Sequence, residues 1–552
     1  MRDVRFGAIE EKDAVLRPAK LASIVFSAII FLIMAGSARA QAPVIACASL
    51  ANLQIPLTTI TKSESVAAKP KPASPPAGPA YAMNLVDVAM PSYCLASGKI
   101  DQHTGPDGRS YGIGFALALP DKWNGRFLFQ GGGGLDGVVR PPLGTQAAGN
   151  VPALARGFAV VSMDSGHQGS MFDASFNRDQ ESSLDFAYVA LGRVTTVAKE
   201  IIAKYYGEPA KHSYFVGCST GGRQAMLASQ RYPLQFDGVV AGDPAMRTGY
   251  SRIANAWDAA LFNKIAPKNA QGQPIPGEAF SDNDKKLLTN SILDACDAKD
   301  GVKDGMIFNF EACRYDPAVL TCQGAKTGAC LSPGQVEALQ KAFAGPRDSR
   351  GIDPYVGRPF DAGVAIYMPG TFGSVLPQSA PGMFGRPNLS TSVDVDALER
   401  QTADDSVESL TDTTWTNLST FAAHGGKLIF FHGLSDPVFS PYDTLQYYNE
   451  MANANGGPEQ VRNWSRIFLI PGMNHCAGGP ALDRFDALGA VVKWVEQGQA
   501  PDSIIATGKY FPGRSRPLCA YPKHAQYKGS GDPQDAANFT CADRRRLKVA
   551  RE

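Results

Sequence analysis

Six short apolar runs punctuate the chain, each ending in glycine, aspartate or a polar turn. They are RFLFQGGGG (126–134), FAVVSMDSG (158–166), SYFVGCS (213–219), FDGVVAGDP (236–244), KLIFFHGLSD (427–436) and SRIFLIPGMNH (465–475). A half-exposed strand alternates apolar and polar side chains, whereas an unbroken apolar run suits a strand covered on both faces, as in a parallel sheet. Between the runs the apolar positions change period. Phe186, Val189, Ala190, Val194, Val197, Ile201, Ile202 and Tyr205 recur at three- and four-residue spacing across 185–206, the stripe of one helix. Strands alternating with helices predict an α/β sheet. The rhythm stops near 245 and resumes near 425. The interval, 246–424, holds loops, four cysteines and an acidic glycine-rich stretch, and is expected to be an inserted lid domain dividing the core into 81–245 and 425–552. Within an N-terminal segment, 41–80, the stretch SESVAAKPKPASPPAGPA (63–80) has the composition of an extended surface linker.

The first residues change the expected location. Arg17 and Lys20 precede LASIVFSAIIFLIMAG (21–36), and Ala38-x-Ala40 precedes Gln41. A basic region, an apolar run and a small-residue cleavage site predict a signal peptide over 1–40 and export to the periplasm or beyond. An uncleaved anchor would call for a longer run. No other run nears membrane-spanning length, so no membrane partner is expected after cleavage. The formal charge is +1, and removing 1–40 takes away six basic and four acidic residues to leave −1. With no basic patch or aromatic-studded basic stripe, nucleic-acid binding has no electrostatic footprint. Ten cysteines, all beyond residue 40, suit disulfides in an exported chain. Zinc would want C-x2-C spacings, and there are none.

The run at 213–219 leads into GCSTG (217–221) and then RQAMLASQRYP, a helical pattern. Gly-x-Ser-x-Gly between a strand and a helix puts a serine on a tight turn. Its Oγ stands at the carboxyl edge of the sheet, and the next N–H, that of Thr220, faces a developing oxyanion. Without that context the motif is weak, and a purely structural turn is the bland alternative. A serine nucleophile needs a base, and the base an orienting carboxylate, in the chain order Ser, Asp or Glu, His for this fold. Asp436 and His475 each lie just past a later apolar run, at the edge where Ser219 stands. His424 lies in a polar helical context, His432 inside a strand as a core histidine would, and His524 in a Pro-rich tail. His475 is therefore the expected base. Cys218 precedes the serine and Cys476 follows the histidine. A bridge between them would hold their Cα atoms roughly 5.5–6 Å apart and bring nucleophile and base together. The four glycines of FQGGGG, past the first run, are the natural source of a second oxyanion donor.

CDAKDGVKDGMIFNFEAC (296–313) crowds Asp297, Asp300 and Asp304 into eight residues. Carboxylates so placed repel unless a hard cation joins them, and calcium with oxygen ligands fits better than magnesium. The spacing is not that of an EF-hand. A solvated acidic turn is the simpler alternative.

GCSTGG, GLSD and PGMNHCAGGP together resemble the tannase and feruloyl esterase family, which includes mono(hydroxyethyl) terephthalate hydrolases. The likeness runs from about Cys47 to Cys541, through WNGRFLFQGGGG, FDGVVAGDPA and RPLCAYPKHAQYKGSGD, and is weakest over 345–420. It implies an α/β-hydrolase fold with a large lid between the sixth and seventh core strands, and a Ser219–His475–Asp436 triad. It implies bridges Cys47–Cys94, Cys218–Cys476, Cys296–Cys313, Cys322–Cys330 and Cys519–Cys541. It points to Gly132 as the second oxyanion donor. It also implies a structural calcium held by Asp297, Asp300 and Asp304 side chains and the backbone oxygens of Val302 and Met306. The implied substrate is a small ester of an aromatic acid, of hydroxycinnamoyl, galloyl or terephthaloyl type. Phe439 matches a position that packs on the acyl group. Tyr367, Phe372, Phe384 and Trp415 are further lid aromatics, and Arg386 is the arginine nearest to where terephthalate-type enzymes grip a free carboxylate. The stretch around Arg386 is shorter than in those enzymes, which favours a feruloyl or galloyl ester over a terephthalate monoester. A non-catalytic exported binding protein on the same scaffold would lack a triad member, and none is missing.

Overall fold

Nine strands form one mixed sheet in the computed structural model, which describes residues 40–73, 86–170, 172–367 and 389–543. In chain order they are β1 (Thr58–Val66), β2 (Tyr93–Thr104), β3 (Ser110–Pro120), β4 (Arg126–Gln130), β5 (Ala159–Met163), β6 (His212–Cys218), β7 (Gly238–Gly242), β8 (Lys427–Gly433) and β9 (Ser465–Ile470). Their spatial order is β1-β2-β3-β5-β4-β6-β7-β8-β9. From β5 to β9 every neighbour is parallel, and these six strands are the six apolar runs. β1, β2, β3 and β5 pair antiparallel at the other edge.

Both faces of the parallel part are buried. Alternate residues along β6 separate cleanly: Phe215 joins Phe129, Val239 and Phe430 on one face, while Tyr214 and Val216 join Leu128, Val240 and Phe431 on the other. Helix α1 (Ala190–Tyr206) lays Leu191, Val194, Ala198, Ile201 and Ile202 on the first face, much as its stripe predicts. Helix α2 (Thr220–Gln230), continuing from β6, packs on the same face.

The antiparallel edge departs from the linker composition of 63–80. Residues 63–66 complete β1, and Lys69 pairs with Met90. β1 is an edge strand with one solvated face, so its polar residues read like a linker. Cys47–Cys94 ties the turn before it to β2.

Among its described residues, the excursion between β7 and β8 has helices and no strand of a sheet. Helices α3 (Thr248–Ile265), α4 (Asp282–Cys296) and α5 (Pro333–Ala344) bury a core of their own, with Phe262, Phe280, Leu288, Ile292, Ile307, Leu339 and Phe343. Capping boxes start α4 at Ser281 and α5 at Ser332. After β8 come α6 (Pro441–Ala454) and, past β9, α7 (Ala487–Gln497). Among the described residues no helix is long and apolar enough to cross a membrane. The segment expected to be a signal peptide lies, up to Arg39, outside the described residues.

Candidate active site

β6 ends in a turn that only small residues can make. A Cβ on Gly217 would stand 2.3 Å from the Gly221 carbonyl oxygen, and one on Gly221 2.8 Å from that of Gly132. Ser219 takes φ 65°, ψ −125°, a conformation costly for a residue with a side chain and typical of strained functional positions. Its N–H donates to the Gly242 carbonyl, and its own carbonyl accepts from Arg223 and Ala245. The turn is thus locked to β7 and α2, with the serine half-buried at the carboxyl edge of the sheet.

Asp436 follows β8 and is wholly buried. Its Oδ1 accepts from the N–H groups of Val438 (2.7 Å) and Phe439 (3.1 Å), and its Oδ2 lies 2.7 Å from His475 Nδ1. Burial opposes ionisation here. The charges and hydrogen bonds of His475 and His432 outweigh it and hold the carboxyl below its usual range. His475 follows β9, with 19% of its side chain exposed. With Nδ1 committed to Asp436, Nε2 is the nitrogen left for a reacting hydroxyl.

The sulfurs of Cys218 and Cys476 are joined, with Cα atoms 5.9 Å apart across 258 residues of chain. Because Ser219 and His475 are the neighbours of those cysteines, the bridge confines both to one corner. The remaining eight cysteines pair as Cys47–Cys94, Cys296–Cys313, Cys322–Cys330 and Cys519–Cys541.

The glycine loop after β4 differs from expectation. The Gly132 N–H donates to Gln224 Oε1 at 2.9 Å, so it is not directed at an oxyanion. Gly131 donates to Val216 and Gly133 to Asp136. Of the four, only the Gly134 N–H donates to no described residue, and the Thr220 hydroxyl donates to the Gly134 carbonyl. A run of four glycines cannot reveal which amide is spoken for, because that depends on Gln224 and Asp136 from elsewhere. Gln224 Nε2 also donates to Asp136 Oδ2 at 2.7 Å and to Ser165 Oγ at 3.0 Å, a buried polar brace under the loop. Burial raises the Asp136 carboxyl while its bonds to Ser165 and Gln224 oppose the rise.

Phe439 is buried with Ala245 and Val438, its ring edge against His475 at 5.5 Å between centroids. Trp415 is exposed and donates to the Asn417 carbonyl. Arg386, Phe372, Phe384 and the side chain of Tyr367 lie outside the described residues.

The acidic loop is closed by Cys296–Cys313. Asp297 accepts from Asp304 N–H and Gly305 N–H, and Asp300 from Val302 and Phe308. Asp304 pairs with the buried Arg516. Among the described residues the three carboxylates do not all come within 4.8 Å of one another. Burial, reinforced by the neighbouring acids, pushes Asp300 up to about 8 and raises Asp297. The donors are all hard oxygen, and three carboxyls face two arginines, Arg516 and Arg514, both directed at Asp304, which fits calcium in kind.

A parallel sheet with a serine on its strand-to-helix turn is the arrangement of the α/β-hydrolases. The comparisons then give the family. The model described as "Tannase and feruloyl esterase" matches residues 97–377 and 383–542, and the chain belongs to that family. It is 39% identical over 517 residues to mono(2-hydroxyethyl) terephthalate hydrolase of Piscinibacter sakaiensis, covering 82% of this chain and 85% of the relative. It is 30% identical over 460 residues to feruloyl esterase B of Aspergillus niger, covering 77% and 82%. The solved feruloyl esterase B of Aspergillus oryzae superposes with a TM-score of 0.71 at 26% identity, over 90% of this chain and 99% of that one.

Proposed function

We propose that the protein is an exported hydrolase of aromatic carboxylic esters that works through Ser219, His475 and Asp436. One observation carries this: a disulfide joins the residue before the serine to the residue after the histidine, and that histidine is bound to a buried aspartate. His475 Nε2 takes the Ser219 proton as Oγ attacks the ester carbonyl. The N–H groups of Thr220 and Gly134 hold the oxyanion, Gly134 taking the place given to Gly132. The alcohol leaves with the proton from His475, and water repeats the sequence on the acyl-enzyme. Asp436 keeps the imidazole in the tautomer that leaves Nε2 free to accept. The excursion between β7 and β8 acts as a lid, with Phe439 closing the floor beside His475.

Two acyl classes compete. Feruloyl esterases among the relatives, and the divergent stretch around Arg386, favour a hydroxycinnamoyl or galloyl ester. The 39% identity to an enzyme named for a terephthalate monoester favours the second. Incubating the purified protein with methyl ferulate, methyl gallate and mono(2-hydroxyethyl) terephthalate decides between them by the acid released. Release from none of the three, under oxidising conditions with calcium, rejects the aromatic-ester reading.

Calcium would be held in the 296–313 loop by Asp297, Asp300, Asp304 and the carbonyls of Val302 and Met306, supplying charge balance to the fold and no step of acyl transfer. Five disulfides support an oxidising, extracytoplasmic location.

A further inference from the structure

Three non-glycine residues with left-handed backbone meet around the Cys218–Cys476 bridge: Ser219 at φ 65°, Cys476 at 66° and Asp243 at 35°. The first is the proposed nucleophile, and the second adjoins the proposed base. Asp243, at the end of β7, has no place yet. It is wholly buried, and strain of this kind persists where surrounding structure demands it.

Its carboxyl has unusual company. Oδ1 accepts from the Gly433 N–H at 2.9 Å, and the Cys476 N–H also faces the carboxyl. Oδ2 lies 3.3 Å from Cys218 Sγ. That sulfur is in a disulfide and has no proton, so it donates nothing to Oδ2. His432 Nε2 is 3.6 Å from Asp243 Oδ1 and 3.3 Å from Asp436 Oδ2, while its Nδ1 sits 2.9 Å from Thr444 Oγ1. Oxygens of Asp243 and Asp436 and a His432 nitrogen lie within 4.8 Å of one another, with all three residues wholly buried. Two carboxylates this close and out of water repel strongly, which leaves one of them holding a proton. Asp436 accepts from two backbone N–H groups and lies 2.7 Å from His475 Nδ1, while His432 Nε2 stands 3.3 Å from it and 3.2 Å from the Phe439 carbonyl, so Asp436 is the anion and Asp243 the acid. The remaining charges nearby are already committed: Asp443, which faces His432, pairs with Arg247, and Arg358 donates to the Asp436 backbone carbonyl. Desolvation first, and the Asp436 charge second, push the Asp243 carboxyl well above its usual range, in keeping with this assignment.

Resting on the triad reading above, we propose that Asp243 is a positioning residue of the reaction: its carboxyl stays protonated and donates to Asp436, leaving Asp436 as the single anion that orients His475. The donated proton weakens the pull of Asp436 on the imidazolium. Removing the donor therefore makes His475 more basic. Removing an anion at the same place would make it less basic, so the two states of Asp243 give shifts of opposite sign.

The test compares kcat/KM against pH for the full, oxidised chain and its Asp243→Ala, Asp243→Asn and Ser219→Ala variants, on whichever of the three esters is cleaved fastest. Asp243→Ala is expected to move the acidic limb up by about half a unit to one unit. Asp243→Asn, which keeps a neutral donor, is expected to leave the limb in place. A downward shift in Asp243→Asn shows an anion at 243 and overturns the proposal, as does an unmoved limb in Asp243→Ala, which is what a merely structural role predicts. Activity surviving in Ser219→Ala instead removes the triad, and the role of Asp243 with it. Should Asp243→Ala fail to fold, neutron diffraction from the wild-type protein decides: a deuteron on Asp243 facing Asp436 supports the assignment, and a bare carboxylate there overturns it.

Discussion

Asp436 and Asp300 are both all but closed to water, yet their surroundings treat the charge in opposite ways. At the carboxyl edge of the sheet, Asp436 meets two imidazoles and two backbone N–H groups, and ionises readily despite burial. In the excursion between β7 and β8, Asp300 meets backbone N–H groups and two further acids, and burial pushes it to about 8. Asp258 on α3 is in a similar position. Its Oδ1 has no partner among the described residues, Arg358 stands 4.0 Å from its Oδ2, and burial pushes it to about 7. In the proposed reaction this edge holds a charge through every turnover, and the partners for that charge are built in. The excursion instead leaves carboxyls short of positive partners, a shortfall that a proton, or the proposed calcium, would relieve.

Five measurements break or sharpen that contrast. Ser219→Ala and His475→Ala should each lower kcat by at least about 10⁴-fold while circular dichroism and Tm stay near wild type; retention of more than a few per cent of activity would dissolve the special status of this edge. Replacing Cys218 and Cys476 together by serine should cost roughly 5 kcal/mol in the loop-entropy model, against about 3 for Cys296 and Cys313. Only the first pair should also cut kcat, as assayed on the protein still folded at low temperature. Gln224→Leu should reduce kcat roughly tenfold to a hundredfold with a smaller change in KM, because the brace under the oxyanion loop is lost. A change confined to KM would deny that role.

On the excursion side, chelating calcium should lower Tm, by a loss of about 2.7 kcal/mol at calcium a hundred times its Kd, with kcat at room temperature changing less than about twofold for a site outside the chemistry. No shift in Tm would leave the acidic loop as a solvated turn. The smallest effect is a pH dependence. Burial pushes the Asp258 carboxyl in the folded protein up to about 7, against the ordinary 3.8 that applies once it is exposed. The folded state therefore binds the extra proton between those values, and stability falls as pH rises through that window. Asp258→Asn should flatten that part of the Tm–pH curve, and an unchanged slope would assign it to another buried acid.

The two regions also differ in how far the amino-acid order revealed them. The parallel strands were legible because burial on both faces demands unbroken apolar runs. Ser219, Asp436 and His475 were legible because each follows such a run. Strands β1 to β3 escaped notice, since at a half-solvated edge polar residues alternate with apolar ones and β1 imitates a linker. Gln224, Asp136 and Asp243 escaped because nothing local marks a buried polar residue whose partner lies up to 193 positions away, as Asp243 and Asp436 do.

By itself the sequence determined the strand–helix alternation, the serine turn, the chemistry available at each strand end and the supply of cysteines, all of which follow from short-range periodicity and residue type. Only the tertiary structure decided which glycine amide is left without an acceptor among the described residues, which carboxyl in the buried pair is placed to carry the proton, and which buried carboxyl oxygens go without a partner. Hydrogen-bond satisfaction and desolvation are properties of the assembled neighbourhood, and residues distant along the chain supply most of it.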